Sequence, residues 1–66
     1  MKNELLNEAL KLRFEYYNVY ASKEEKWHKK YKEHSLYEVV IKSFKYDFKD
    51  IGLMMPNLIN EFEKSL

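Results

Sequence analysis

Leu6, Leu10, Arg13, Tyr17, Tyr20, Glu24, Trp27, Tyr31 and His34 recur at alternating steps of four and three residues, the spacing that lines one face of an α-helix. The phase runs on across Ser22, and the one glycine and one proline both fall between residues 52 and 56, so nothing strong punctuates the first part of the chain. The pattern predicts one long helix over about residues 3–33, with Asn3 as its cap and Glu4 and Glu8 near its positive end. The competing break is at Ser22-Lys23-Glu24-Glu25, which matches a capping box. Ala21 and Lys26 are a poor hydrophobic staple around it, so the helix is carried through.

Ser35-Leu36-Tyr37-Glu38 is the better box, preceded by Lys29, Lys30 and Lys32, which suit a helix C-terminus. After it, Tyr37, Val40, Ile41, Phe44, Phe48 and Ile51 share one helical face, predicting a second helix over about 36–51 that stops at Asp50-Ile51-Gly52. A strand also matches part of this segment, because Tyr37, Val39 and Ile41 alternate and so do Phe44, Tyr46 and Phe48. The alternation changes phase at Lys42-Ser43, whereas the helical spacing needs no correction. Pro56 fits the first turn of a final helix over about 57–65, with Leu58, Ile59, Phe62 and Leu66 as its stripe. At 1.5 Å per residue the three helices measure roughly 46, 24 and 14 Å. The expected fold is therefore all-α: one domain over 1–66, built as a helical hairpin whose return arm is broken.

A second row on the first helix, Leu5, Ala9, Leu12, Tyr16 and Val19, widens its apolar face in the first half; continued, the row becomes Lys23, Lys26, Lys30 and Glu33. A single return arm cannot cover so wide a face, which predicts completion by a second copy of the chain or by a docked protein. Arg13 and Glu24 interrupt the apolar series, and a charge in a core needs a partner or a path to water. Two long helices crossing antiparallel between residues 18 and 19 would set Arg13 against Glu24 of the other copy; within one chain, Arg13 would instead meet Glu38, Asp47 or solvent. Phe14, Val39 and Tyr46 lie off the main stripes and extend the candidate contact surface, with Met54-Met55 adding adaptable apolar area in a linker. The residues expected at a protein interface are Arg13, Phe14, Tyr17, Tyr20, Glu24, Trp27, Tyr31 and Tyr46.

Residues 23–34, KEEKWHKKYKEH, are the one local basic cluster. Basic residues interleaved with aromatics can hold phosphates and stack bases, so Lys23, Lys26, Lys29, Lys30 and Lys32 form an alternative nucleic-acid surface. The bland reading is a solvated helical face whose Trp27 and Tyr31 point inward. Glu25 and His28 have the Glu-x-x-His spacing of helical-bundle metal sites, but a di-metal centre needs two such motifs and further carboxylates. Lys26, Lys29 and Lys32 also crowd the pair with positive charge, so no metal or other cofactor is expected.

Composition narrows the functional classes further. The chain has no cysteine or threonine, no glycine-rich phosphate loop and no nucleophile at recognisable spacing from a base. Catalysis is therefore not expected. Hydrophobic residues make up 45% and aromatics 17% of the 66 residues, an apolar content that predicts folding rather than disorder. The net charge of +1 points to no strongly charged partner. No apolar run approaches the ~18 residues of a membrane span, and Met1-Lys2-Asn3-Glu4 lacks the apolar block of a leader, so a cytoplasmic location is the default. The expectation is a small non-catalytic protein–protein interaction module, a regulator, inhibitor or adaptor that forms a homodimer or docks on another protein.

Overall fold

The contact between Leu12 and Trp27 sets the course of the first half of the chain. In a continuous helix these residues would stand roughly 22 Å apart, yet the Trp27 indole Nε1–H donates to the Leu12 carbonyl at 3.0 Å. The chain folds back between them. A computed structural model describes residues 2–66, with side chains described from residue 3. Among the described residues there are four helices and no strand: α1 (Lys2–Asn18), α2 (Glu24–Tyr31), α3 (Tyr37–Ser43) and α4 (Phe48–Lys64). The chain is all-helical, as its periodicity predicts, but the helix boundaries differ. Met1, the first residue of the start examined for a leader, lies outside the described residues.

The single helix expected over 3–33 is two helices, and it breaks with neither glycine nor proline. Asn18 closes α1 by donating from Nδ2 to the Phe14 carbonyl at 2.9 Å, and the Val19 and Tyr20 amides both turn onto the Glu15 carbonyl. These bonds satisfy carbonyls that a helix end leaves open. Lys23 occupies the cap position of α2 with non-helical backbone angles, and no side chain caps the helix, so the Ser22 box does not form. Burial of Trp27, which is 0% exposed, is the driving term. A buried tryptophan is worth about 3–5 kcal/mol against alanine, whereas a few residues left out of a helix cost tenths each.

The Ser35 box is also replaced. Leu36 takes the cap position of α3, and its amide donates to His34 Nδ1 at 3.0 Å. α3 then ends at Ser43, whose enclosed hydroxyl donates to the Val40 carbonyl at 2.6 Å. The helix expected over 36–51 is thus cut by a turn at residues 44–47. A new helix starts after Asp47, whose extended backbone (ψ 167°) presents its carbonyl to the amides of Asp50 and Ile51.

α4 runs through both the glycine expected to stop one helix and the proline expected to open the next. Gly52 and Pro56 lie inside the helix, and the stretch expected as a separate helix over 57–65 is its C-terminal half. Ile51, Met55, Leu58 and Ile59 form one buried stripe spanning the expected break. A helical proline costs about 3 kcal/mol and a glycine about 1. Four buried apolar side chains at about 1.5–3 kcal/mol each outweigh that cost. Met55, expected in a surface linker, is 0% exposed.

α1, α3 and α4 pack on one another, and α2 joins them through Trp27. The molecule measures 32 × 27 × 18 Å, too short on every axis for a 46 Å helix. Its core is Ala9, Leu12, Trp27, Leu36, Val39, Val40, Ile51, Met55, Leu58 and Ile59. Two helices rather than one arm therefore cover the wide face of α1, and Leu5, Leu6, Leu10 and Tyr16 pack against the core within the same chain. Val19, the last residue of that face's second row, is 63% exposed.

Candidate functional site

Arg13, the only arginine in the chain, projects from the core side of α1 and is 4% exposed. Its Nη2 donates to the Tyr46 carbonyl at 2.6 Å, which ties α1 to the turn before α4. The guanidinium carbon lies 4.9 Å from the centre of the Tyr17 ring and 5.2 Å from that of Phe48. Cation–π contact of this kind offsets part of the cost of taking the charge out of water. The remainder is not offset within the chain. Nε is buried without a hydrogen-bond partner, and among the described residues no carboxylate pairs with Arg13. The intrachain partners expected for it, Glu38 and Asp47, do not serve. The alternative pairing, with Glu24 of a second copy, rests on a helix continuous through residues 13 to 24, and the chain breaks between α1 and α2.

Beside Arg13 opens a groove of about 510 Å³ lined by Arg13, Tyr17, Phe44, Tyr46, Asp47, Phe48 and Lys49. Phe48 covers the guanidinium with one side of its ring and is itself 69% exposed. This corrects the expectation that Phe48 belongs to a helical core stripe: the turn at residues 44–47 lifts it off the stripe and sets it at the first position of α4. Phe14, 61% exposed, is one helical turn from Tyr17 on α1 and lies outside the groove lining. Tyr46, expected on an outer face, lines the groove. Val39, expected beside it, is buried between helices instead.

The other expected interface residues lie elsewhere. Trp27 has no surface left for a partner: its ring packs against Tyr16, Tyr31, Tyr37 and Phe44 at centroid distances of 5.1–5.7 Å. Glu24 is exposed at the start of α2. Tyr31 is half-buried, its hydroxyl donating to the Glu15 carboxylate. Desolvation, then that hydrogen bond, hold the Tyr31 phenol above its ordinary value of 10.0. Burial also raises Tyr16. Tyr20 is half-buried next to Lys30, whose ammonium is held above its ordinary value chiefly by Tyr31 and then by Tyr20.

In the basic segment Lys23, Lys26, Lys29, Lys30 and Lys32 are all exposed. Of the aromatics in that pattern, Trp27 is enclosed and Tyr31 is half-buried, with its hydroxyl engaged with Glu15. Lys30 is itself 3.7 Å from the Glu15 carboxylate. His28 Nδ1 is paired with the Tyr37 hydroxyl at 2.7 Å. Among the described residues no three His, Asp or Glu side chains converge as a metal site would require. His34 accepts from the Leu36 amide through Nδ1, so its proton sits on Nε2, 3.6 Å from a Glu8 carboxylate oxygen.

Sequence reasoning identified Arg13, Tyr17 and Tyr46 but missed Phe48, because its spacing fits the apolar stripe of the expected second helix. No helix among the described residues is long and apolar enough to cross a membrane. Compared with known proteins, the chain matches no family model, no curated protein and no solved structure.

Proposed function

We propose that this protein is a non-catalytic protein-binding module, and that the groove between α1 and the start of α4 is its docking surface. One observation carries the reading: Phe48 stands 69% exposed on the wall of an aromatic-lined groove, in a chain that packs Trp27 fully inside. Phe14, 61% exposed, lies outside that lining, one helical turn from Tyr17. Aromatic and arginine side chains are the residues that most often anchor protein interfaces. The module acts by occupying a surface on its partner, as a regulator, inhibitor or adaptor does. The partner in this reading is a different protein. Supporting that choice, Leu5, Leu6, Leu10 and Tyr16 of the wide α1 face pack within the chain, and the break at residues 19–23 interrupts the long helix on which the antiparallel crossing rests.

The test compares the wild-type chain with a Phe14→Ser/Phe48→Ser double variant, by quantitative cross-linking in the native host and by sedimentation of each purified chain. Both substitutions are at exposed positions, so folding should persist. The wild type should cross-link to a defined protein that the double variant loses, while both chains sediment as monomers. Identical cross-linking profiles for the two chains would count against this groove. Recovery of nucleic acid through the lysine segment would replace the reading with the alternative one.

A further inference from the structure

Among the described basic side chains, Arg13 is the one that the fold takes out of water, and it is the only arginine beside eleven lysines in the sequence. Arginine is the cation suited to such a position, because its planar fork can pair with a carboxylate through two parallel hydrogen bonds. Breaking a buried ion pair is costly because it leaves a charge uncompensated, and here Arg13 has one backbone carbonyl and two ring faces but no ion-paired carboxylate among the described residues. The groove's own carboxylate, Asp47, makes no ion pair with Arg13, and Lys49 on the same wall adds a second positive charge. Arg13 and Lys49 leave the groove with a net positive lining between aromatic walls.

From this geometry, and resting on the docking reading above, we infer that the partner presents an aspartate or glutamate next to an apolar residue, the carboxylate pairing with Arg13 and the apolar side chain lying against Phe48 and Tyr17. The acidic group brings the missing counter-charge to a guanidinium that is already desolvated and held in place by the Tyr46 carbonyl. Little ordering cost remains on this side of the interface. Phe48, half in contact with Arg13 and half in solvent, is the side chain whose remaining exposed surface the partner covers.

The experiment uses a display library of random linear peptides selected on the immobilised full chain, followed by titration of the selected peptides against wild type, Arg13→Met and Phe48→Ser. Arg13→Met keeps the volume and removes the charge, and replacing an unpaired buried cation by an apolar side chain should leave melting unchanged or raise it. The expected result is enrichment of Asp or Glu beside an aromatic or aliphatic residue. Affinity should fall roughly thirtyfold or more in Arg13→Met, the effect of removing one member of a desolvated charge pair. Phe48→Ser should weaken the same peptides without touching the charge. A melting loss in Arg13→Met as large as that of a core cavity would overturn the inference by making Arg13 structural. Should that variant not fold, the peptides themselves decide, with Asp→Asn and Glu→Gln versions expected to lose the same affinity. Enriched peptides without an acidic residue would overturn the carboxylate inference while leaving the docking groove standing, as would displacement by inorganic phosphate regardless of peptide sequence. Peptides that bind wild type and Phe48→Ser equally would overturn the docking reading itself.

Discussion

Two aromatic clusters meet along α1, and they have opposite finish. Around Trp27 the polar edges are paired: the indole with the Leu12 carbonyl, His28 with Tyr37, and Tyr31 with Glu15. Around Arg13 the chain leaves a buried donor without a partner and a phenylalanine more than half in water. The first cluster is where the molecule derives stability, because burial and hydrogen bonding act together there. The second costs stability as it stands, since a desolvated charge is compensated only in part. Real proteins break local rules mostly at functional sites, and this contrast is what supports the proposal that the docking surface lies at the second cluster.

The largest effect that separates the two regions is expected from Trp27→Ala, which removes the ring holding α2 against α1 and should cost about 3–5 kcal/mol in denaturant unfolding. A loss within the range of a surface substitution would show that α2 is held by something else. Tyr31→Phe should follow at about 1–2 kcal/mol, reduced from the full value of a charge-assisted bond because Tyr31 is partly exposed. The same variant sharpens a pH prediction. A phenol whose value is raised by folding keeps its proton when the unfolded chain loses it, so its contribution is fully present below the ordinary value of 10.0 and is lost as pH rises through the folded value. Tyr16 and Lys30 shift in the same direction. Thermal midpoints should therefore fall as pH climbs past 10.0, less steeply in Tyr31→Phe; a midpoint unchanged in that range would contradict the pairing.

Smaller effects test α4 and the groove. A Cβ added at Gly52 meets nothing within 4 Å. Gly52→Ala should therefore stabilise by about 0.5–1 kcal/mol if α4 is continuous there, as measured by chemical denaturation. Destabilisation would restore a break at that point. Phe48→Ser should change stability least, by roughly 0.5 kcal/mol or less in either direction. A loss comparable to that of Trp27→Ala would mean that Phe48 belongs to the core and that the two clusters are not opposites.

Much of the groove was legible in the residues. Arg13 stands out as a charge interrupting an apolar series, Tyr17 shares its face one turn on, and Phe14 and Tyr46 lie outside the expected stripes. Phe48 was not legible, because it satisfies the helical spacing of Tyr37, Val40, Ile41 and Phe44 so well that nothing marks it as separate. Its exposure follows from the turn at residues 44–47, which no strong breaker announces. The breakers that are present, Gly52 and Pro56, lie inside α4, where one buried stripe from Ile51 to Ile59 overrides them.

Periodicity by itself determined that this chain is helical, which side chains can share a face, and that Arg13 and Glu24 interrupt the apolar series of its first part. These are properties of the nearest few residues, and the 3.6-residue repeat reports them directly. Where the helices stop was decided by tertiary structure. A continuous helix and two folded-back helices keep the same phase, so spacing cannot separate them. The folded-back arrangement prevails because it alone brings Trp27 onto Leu12, fifteen residues earlier in the chain, and the area buried there outweighs the turns it requires. The same folding back leaves Arg13 enclosed and without an ion pair among the described residues, a feature that exists only once four helices are packed together.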